Sequence, residues 1–130
     1  ITEKVDAGAQ FVITHTCLDM DLLRLYMQRL SEIKLLWRCH VVVGIAILSS
    51  AEDAQWLRKN RPNVNIPNDI VTRLSNAKDP KKEGIAICVE QLQELSTIPG
   101  ISGAHIIAPE KLTNIPVAVD QSGTYKKKTN

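Results

Sequence analysis

The sequence of 130 residues is short of aromatic side chains and of any strong imbalance of charge. Aromatic residues make up 4% of the chain, and 16 basic residues stand against 14 acidic ones, for a net charge of +2. A domain that binds nucleic acid is expected to carry a stripe of cations with aromatic residues between them. The composition therefore argues against nucleic acid as a partner.

Long apolar runs and paired cysteines are also missing. No run approaches the roughly 20 apolar residues that a membrane-spanning helix needs, and the sequence shows no signal-peptide pattern. Cys17, Cys39 and Cys88 are odd in number and have no CxxC spacing, which argues against a disulfide framework and a thiolate zinc site. We therefore expect a cytoplasmic protein that holds no metal and stays out of the membrane.

Three apolar runs predict buried strands: Phe11–Thr14, Val41–Leu48 and Ala104–Ala108. None of them alternates polar with apolar residues. Continuous apolar runs are typical of strands covered on both faces, as in the parallel sheets of α/β proteins.

Amphipathic helices separate these runs. The predicted helices are 2–9 with Gly8 as its stop, one capped by Asp19, one running from Ser49 or Ser50 to Arg58 or Lys59, one from Pro67, and one from Pro80 to about Leu95. Strands joined through helices must be parallel, so the predicted class is α/β. Three strands cannot close a barrel that needs about eight, which favours part of a larger barrel.

A series of segments gives the chain a family resemblance. They are Gly8–Thr14, Val43–Ala46, Val64–Pro67, Asp79–Ile85 and Gly100–Ile107, followed by Ile115–Val119 and Gly123. In this order and spacing the series resembles the C-terminal part of the methylenetetrahydrofolate reductases, flavin enzymes built on a (β/α)8 TIM barrel. The resemblance implies that residues 1–123 supply roughly the last three strands and their helices. Residues 124–130, with three consecutive lysines, are expected to form a basic disordered tail.

The resemblance also implies a reaction. It is the reduction of 5,10-methylenetetrahydrofolate to 5-methyltetrahydrofolate, with hydride passing from NADH or NADPH to FAD and then to the folate. In this family most contacts to FAD come from the N-terminal portion of the barrel. We therefore expect this chain to be inactive alone and to need the rest of the barrel or a partner subunit, in an oligomer of unknown size. The choice of nicotinamide and whatever precedes Ile1 stay open.

Four residues are expected at the substrate site on the strength of the resemblance: His15, Asp53, Leu57 and Lys111. His15 stands where the family usually has a glutamine that hydrogen-bonds the pterin, and an imidazole can also donate or accept. Lys111 stands for an arginine that pairs with the glutamate tail, and it keeps the charge but loses the bidentate fork. Asp53 and Leu57 stand for a glutamine and a phenylalanine on the helix after the seventh strand.

Each of these residues has a structural alternative. His15 could be a satisfied histidine at a strand end, and Lys111 a solvated lysine ahead of a helix. An acid in a first helical turn, as at Asp53, complements the helix dipole, and Leu57 falls on the apolar face. His105 lies inside an apolar run, where a histidine is more often structural than catalytic. Trp37 and Trp56 are expected to be packing or helix-surface residues.

Two other functions compete with the flavin reductase. The changed residues at the folate positions suggest a non-catalytic reductase-like subunit that keeps the fold and binds a partner. A different (β/α)8 enzyme with a phosphate or sugar substrate would be favoured by a glycine-rich turn after the seventh or eighth strand. Neither of those loops has one.

Overall fold

The chain folds as helices and strands in alternation, and the computed structural model describes residues 1–109 and 113–124. The elements are α1 (Thr2–Asp6), β1 (Phe11–Thr16), α2 (Met20–Glu32), a 3-10 turn (Leu35–Trp37), β2 (His40–Ala46), α3 (Ala51–Asn60), α4 (Asn68–Asn76), α5 (Pro80–Leu95), β3 (Ile101–Ile107) and α6 (Asn114–Ser122). Lys111 and all of the expected tail except Thr124 lie outside the described residues.

The three strands form one parallel sheet with β2 in the middle. This confirms the predicted α/β class and the parallel pairing. An open sheet of three strands with helices in the connections is compatible with part of a (β/α)8 barrel.

The two faces of this sheet differ in burial. Val41, Val43 and Ile45 of β2 are fully buried on the side that packs against the helices. On the other side Phe11 is 60% exposed and Ile13 is 53% exposed. We call this second side the open face. No described element lies over these outer residues of β1, so the covering of both faces of this strand stays a prediction.

Strand register assigns further residues to the open face. His40 and Val42 pair with Phe11 and Ile13, so they share that face. Since side chains alternate along a strand, Gly44 also belongs to it, and His105 of β3 pairs with Gly44.

Both outer strands contain a β-bulge. In β1, Ile13 pairs with Val42 and Thr16 pairs with Gly44, so β1 has one residue more than β2 between these two pairs. In β3, Ser102 is the extra residue, and its hydroxyl lies 3.1 Å from Nδ1 of His40. β3 accordingly begins at Ile101, earlier than the predicted Ala104. Bulges of this kind change the direction in which neighbouring side chains point.

The free edge of β1 is covered at its carboxyl end by the segment that follows α3. The amide of Leu18 donates to the carbonyl of Asn65 at 2.7 Å, and the amide of Asn65 donates to the carbonyl of Thr16 at 3.1 Å. On the opposite edge the amide of Cys17 donates to the carbonyl of Gly44. The chain after α3 therefore crosses the carboxyl end of the sheet.

Local sequence signals set most helix boundaries. The Asp19 carboxylate accepts from the Leu22 amide at the start of α2, and Asp79 accepts from the Lys82 amide at the start of α5. α5 has the predicted bounds, whereas α1 ends at Asp6, earlier than predicted. α5 also packs closely against the loop after β2, since a Cβ on Gly84 would lie 1.6 Å from the Leu48 carbonyl oxygen.

Candidate functional site

Three chain segments lie at the carboxyl ends of the strands. His15 lies near the end of β1, residues 47–50 follow β2, and residues 108–109 follow β3. Cys39 and His40 lie at the opposite end, where His40 pairs with Phe11. His15 therefore lies at the end of the sheet opposite to Cys39 and His40. Lys111 lies outside the described residues, so its place is not assigned.

A groove of about 830 Å³ opens at this end of the sheet. It runs between the ends of β1 and β3, with α3 and residues 61–64 forming another wall. Its lining includes His15, Trp56, Leu57, Arg61, His105 and Ile107. A second groove, of about 400 Å³, lies beside β1 and α2, and His15 borders it as well. His15 and Leu57 are thus brought to one groove.

His15 is exposed and sits inside the bulge of β1. The neighbouring Thr14 hydroxyl holds this bulge, since it donates to the His15 carbonyl at 2.9 Å and accepts from the Gly44 amide at 3.0 Å. The backbone that carries the imidazole is therefore fixed while the ring remains accessible. An accessible ring of this kind can donate or accept a hydrogen bond to a bound ligand.

Asp53 is engaged in the cap of α3. The Ser50 hydroxyl accepts from the Asp53 amide at 3.1 Å, and Oδ2 of Asp53 accepts from the Ser49 amide at 2.9 Å. The first bond is the N-cap of α3, and the second ties the residue before the cap to the same helical turn. The structural alternative for Asp53 therefore holds, and its contact with folate stays a prediction.

The Asp53 carboxylate also provides a test of the alternative function, a barrel enzyme with a phosphate substrate. In many barrels a phosphate binds at the loops after the last strands, on amides at a helix N-terminus. Here the Asp53 carboxylate already accepts from the Ser49 amide at the start of α3. A negative charge in that position disfavours a bound phosphate, which argues against a phosphate substrate at this loop.

Leu57 is 1% exposed, so it forms part of the core behind the groove wall. Trp56, its neighbour in sequence, is 54% exposed and lines the groove. His105 is also exposed and lines the groove from β3. The sequence analysis considered both residues but selected neither for the site, because the strand register and the rotation of α3 decide which side chains face the groove.

Buried thiols offer no nucleophile. Burial raises the pKa of the Cys88 thiol to about 11, and burial also raises the pKa of Cys17. A thiol with a raised pKa is protonated at neutral pH and reacts slowly. Within residues 1–109 and 113–124, no group of three or more His, Cys, Asp or Glu side chains is arranged to hold a metal ion.

The described groove does not by itself fit a flavin dinucleotide. Arg61 is the one cationic side chain in its described lining, and the Ser49 amide beside the groove is bonded to Asp53. The pyrophosphate of such a cofactor needs several donors to balance its charge. Any flavin must take most of its contacts from elsewhere.

Comparison with known families decides the class of the protein. A family model described as methylenetetrahydrofolate reductase matches residues 1–123. The chain belongs to the methylenetetrahydrofolate reductase family. Membership indicates a folate-related oxidoreductase. Among curated proteins, none matches this chain.

Membership of the reductase family confirms the resemblance but does not test the roles of individual residues. His15 and Leu57 share one groove, and Asp53 lies one turn before Leu57 on α3. Their contacts with folate, and that of Lys111, stay predictions. Separately, none of the helices in the described part of the chain has both the length and the apolar character needed to cross a bilayer.

Proposed function

We propose that this chain is the C-terminal part of a flavin-dependent methylenetetrahydrofolate reductase. The enzyme would reduce 5,10-methylenetetrahydrofolate to 5-methyltetrahydrofolate in one-carbon metabolism. The family match over residues 1–123 carries this proposal. The open groove at the carboxyl ends of the strands supports it, because barrel enzymes build their active sites at that end.

In this proposal His15 hydrogen-bonds the pterin of the folate. Its support is the exposed ring at the mouth of the groove and the Thr14 bonds that fix its backbone. Lys111 would pair with a carboxylate of the glutamate tail as a point charge. Asp53 and Leu57 would act mainly by fixing α3, since one caps the helix and the other packs beneath it.

FAD, reduced by NADH or NADPH, would supply the hydride when bound. We assign most of its binding to other strands of the barrel, because the described groove lining holds a single cation. Those strands would belong either to the same polypeptide or to a partner subunit in a cytoplasmic oligomer. They would also cover Phe11 and Ile13, whose exposure is unusual for an apolar sheet face.

The need for a covering partner can be tested directly. Residues 1–130 expressed alone should aggregate or bind a hydrophobic dye, since the open face and most of the outer edge of β1 lack partners among the described elements. Addition of the complementary part of the barrel should suppress the dye signal. A chain that stays monomeric at high protein concentration and binds no dye would contradict this part of the proposal.

The reaction itself is tested on the complete protein. Flavin absorbance at roughly 450 nm and formation of 5-methyltetrahydrofolate are both expected. The alternative is a non-catalytic reductase-like subunit, which the structural use of Asp53 and Leu57 favours. A folded, complete protein with neither flavin nor folate turnover would establish that alternative and overturn the enzyme proposal.

A further inference from the structure

We propose that Trp56, rather than Leu57, provides the aromatic surface on which a ring of the folate substrate stacks. This inference rests on the proposed function and names a residue that the family resemblance does not supply. The resemblance points to Leu57, where the family carries a phenylalanine. In the structure Leu57 is buried, and the indole of Trp56 lines the groove.

The exposure of the two neighbours separates their roles. Leu57 is 1% exposed, so almost none of its surface is available to a ligand. Trp56 is 54% exposed, although it carries the largest apolar side chain in α3. It lines the same groove as His15 and His105. An exposed indole in a groove offers a flat apolar surface and a hydrogen-bond donor.

The rest of α3 is held in place, so the indole is carried by a fixed element. The bonds of Asp53 to Ser49 and Ser50 order the first turn. Near the other end, the Arg58 guanidinium donates to the Ile66 carbonyl and to Oδ1 of Asn68, the latter at 2.9 Å. A side chain on a helix anchored at both ends loses less conformational entropy when a ligand binds.

The described lining of the groove comes from β1, α3, residues 61–64 and the end of β3, and includes no side chain of β2. Gly44 of β2, which pairs with His105, is covered by the bulge of β1, since a Cβ there would lie 2.9 Å from the Thr14 carbonyl oxygen. Imidazole groups on the outer strands and the indole on α3 thus line one groove.

Aromatic side chains are scarce enough to make the assignment specific. The described aromatic residues are Phe11, Tyr26, Trp37 and Trp56. Within that set, Trp56 alone lines the groove. Trp37 is 89% exposed and lies just before β2, at the amino end of the sheet. It therefore serves as a matched control for the loss of an exposed tryptophan.

The experiment uses the complete, flavin-loaded protein and measures the dissociation constant of 5-methyltetrahydrofolate by titration calorimetry. Trp56→Ala should weaken binding by about three- to tenfold, the range expected for one aromatic contact. Trp56→Phe should stay within about twofold of the unmodified protein because it keeps a ring. Trp37→Ala should bind as the unmodified protein does. In steady-state assays Trp56→Ala should raise the KM for folate more than it lowers kcat.

The possible outcomes separate this inference from the proposed function. If the unmodified protein binds 5-methyltetrahydrofolate and Trp56→Ala binds it equally well, the stacking assignment is wrong while the reductase function stands. If Trp56→Phe loses as much affinity as Trp56→Ala at an unchanged melting temperature, the contact is not stacking, and the assignment is also overturned. If the unmodified protein fails to bind, the proposed function itself is contradicted.

Discussion

The sheet is divided into one face that helices cover and one face that is open. On the helix side Val43 and Ile45 are completely buried in a continuous core. On the open face apolar residues such as Ile13 are exposed, and His105 stands among them at the groove. Both faces carry apolar residues. Apolar character alone therefore does not tell which face holds this fold together.

The largest expected effect tests that division on matched isoleucines. Ile45→Ala should lower the free energy of unfolding by about 3–4 kcal/mol, because it leaves a cavity beneath the helices. Ile13→Ala should change it by less than about 0.5 kcal/mol in the isolated chain, because Ile13 is half exposed there. Denaturant unfolding followed by circular dichroism at low protein concentration measures both. Equal losses would show that the open face is already covered in the isolated chain.

A second test contrasts two glycines on the two sides of the sheet. In Gly84→Ala the new Cβ would collide with the Leu48 carbonyl, so about 2–3 kcal/mol should be lost as α5 moves away. Gly103→Ala meets nothing within 4 Å and should be neutral or slightly stabilising. Melting temperatures of the two variants provide the comparison. A neutral Gly84→Ala would mean that α5 is less closely packed than the structure shows.

The third test addresses the chemistry of the groove. His15→Ala in the complete enzyme should slow reduction of the folate by about 1–3 kcal/mol in activation free energy, the cost of a lost buried hydrogen bond. Reduction of the flavin by the nicotinamide should be largely unchanged, since His15 is assigned to the folate alone. Stopped-flow flavin absorbance follows each half-reaction separately. Equal slowing of both, or of neither, would make His15 a structural residue.

The smallest effect comes from the buried thiol on the covered side. Burial raises the pKa of Cys88 from 9.0 to about 11, so the fold favours the protonated thiol. That contribution is complete below pH 9 and is lost as the pH rises toward 11. Between pH 8 and 10 it should remove about 1 kcal/mol from the stability of the chain. Cys88→Ala should show a correspondingly flatter decline in unfolding experiments, and an identical decline would contradict the assignment.

Local signals in the sequence predicted the helices better than the site. Asp79 and Pro80 fix the start of α5 independently of its tertiary packing, because a capping side chain bonds to backbone amides close to it in the sequence. The bulge at His15 depends instead on how β1 aligns with β2. The exposure of His105 and Trp56 likewise depends on strand register and helix rotation. Strand register and helix rotation are set by tertiary packing. The residues next to His15, Trp56 or His105 in the sequence therefore do not determine them.

Asn65 has a consequence for the way in which a neighbouring strand can join this sheet. Its two backbone bonds occupy the carbonyl of Thr16 and the amide of Leu18 on the outer edge of β1. An incoming parallel strand can therefore align only with the portion of β1 before Thr16. Asn65 thereby limits the registers in which a neighbouring strand can pair with β1. It also shortens the edge on which identical chains could stack into fibrils.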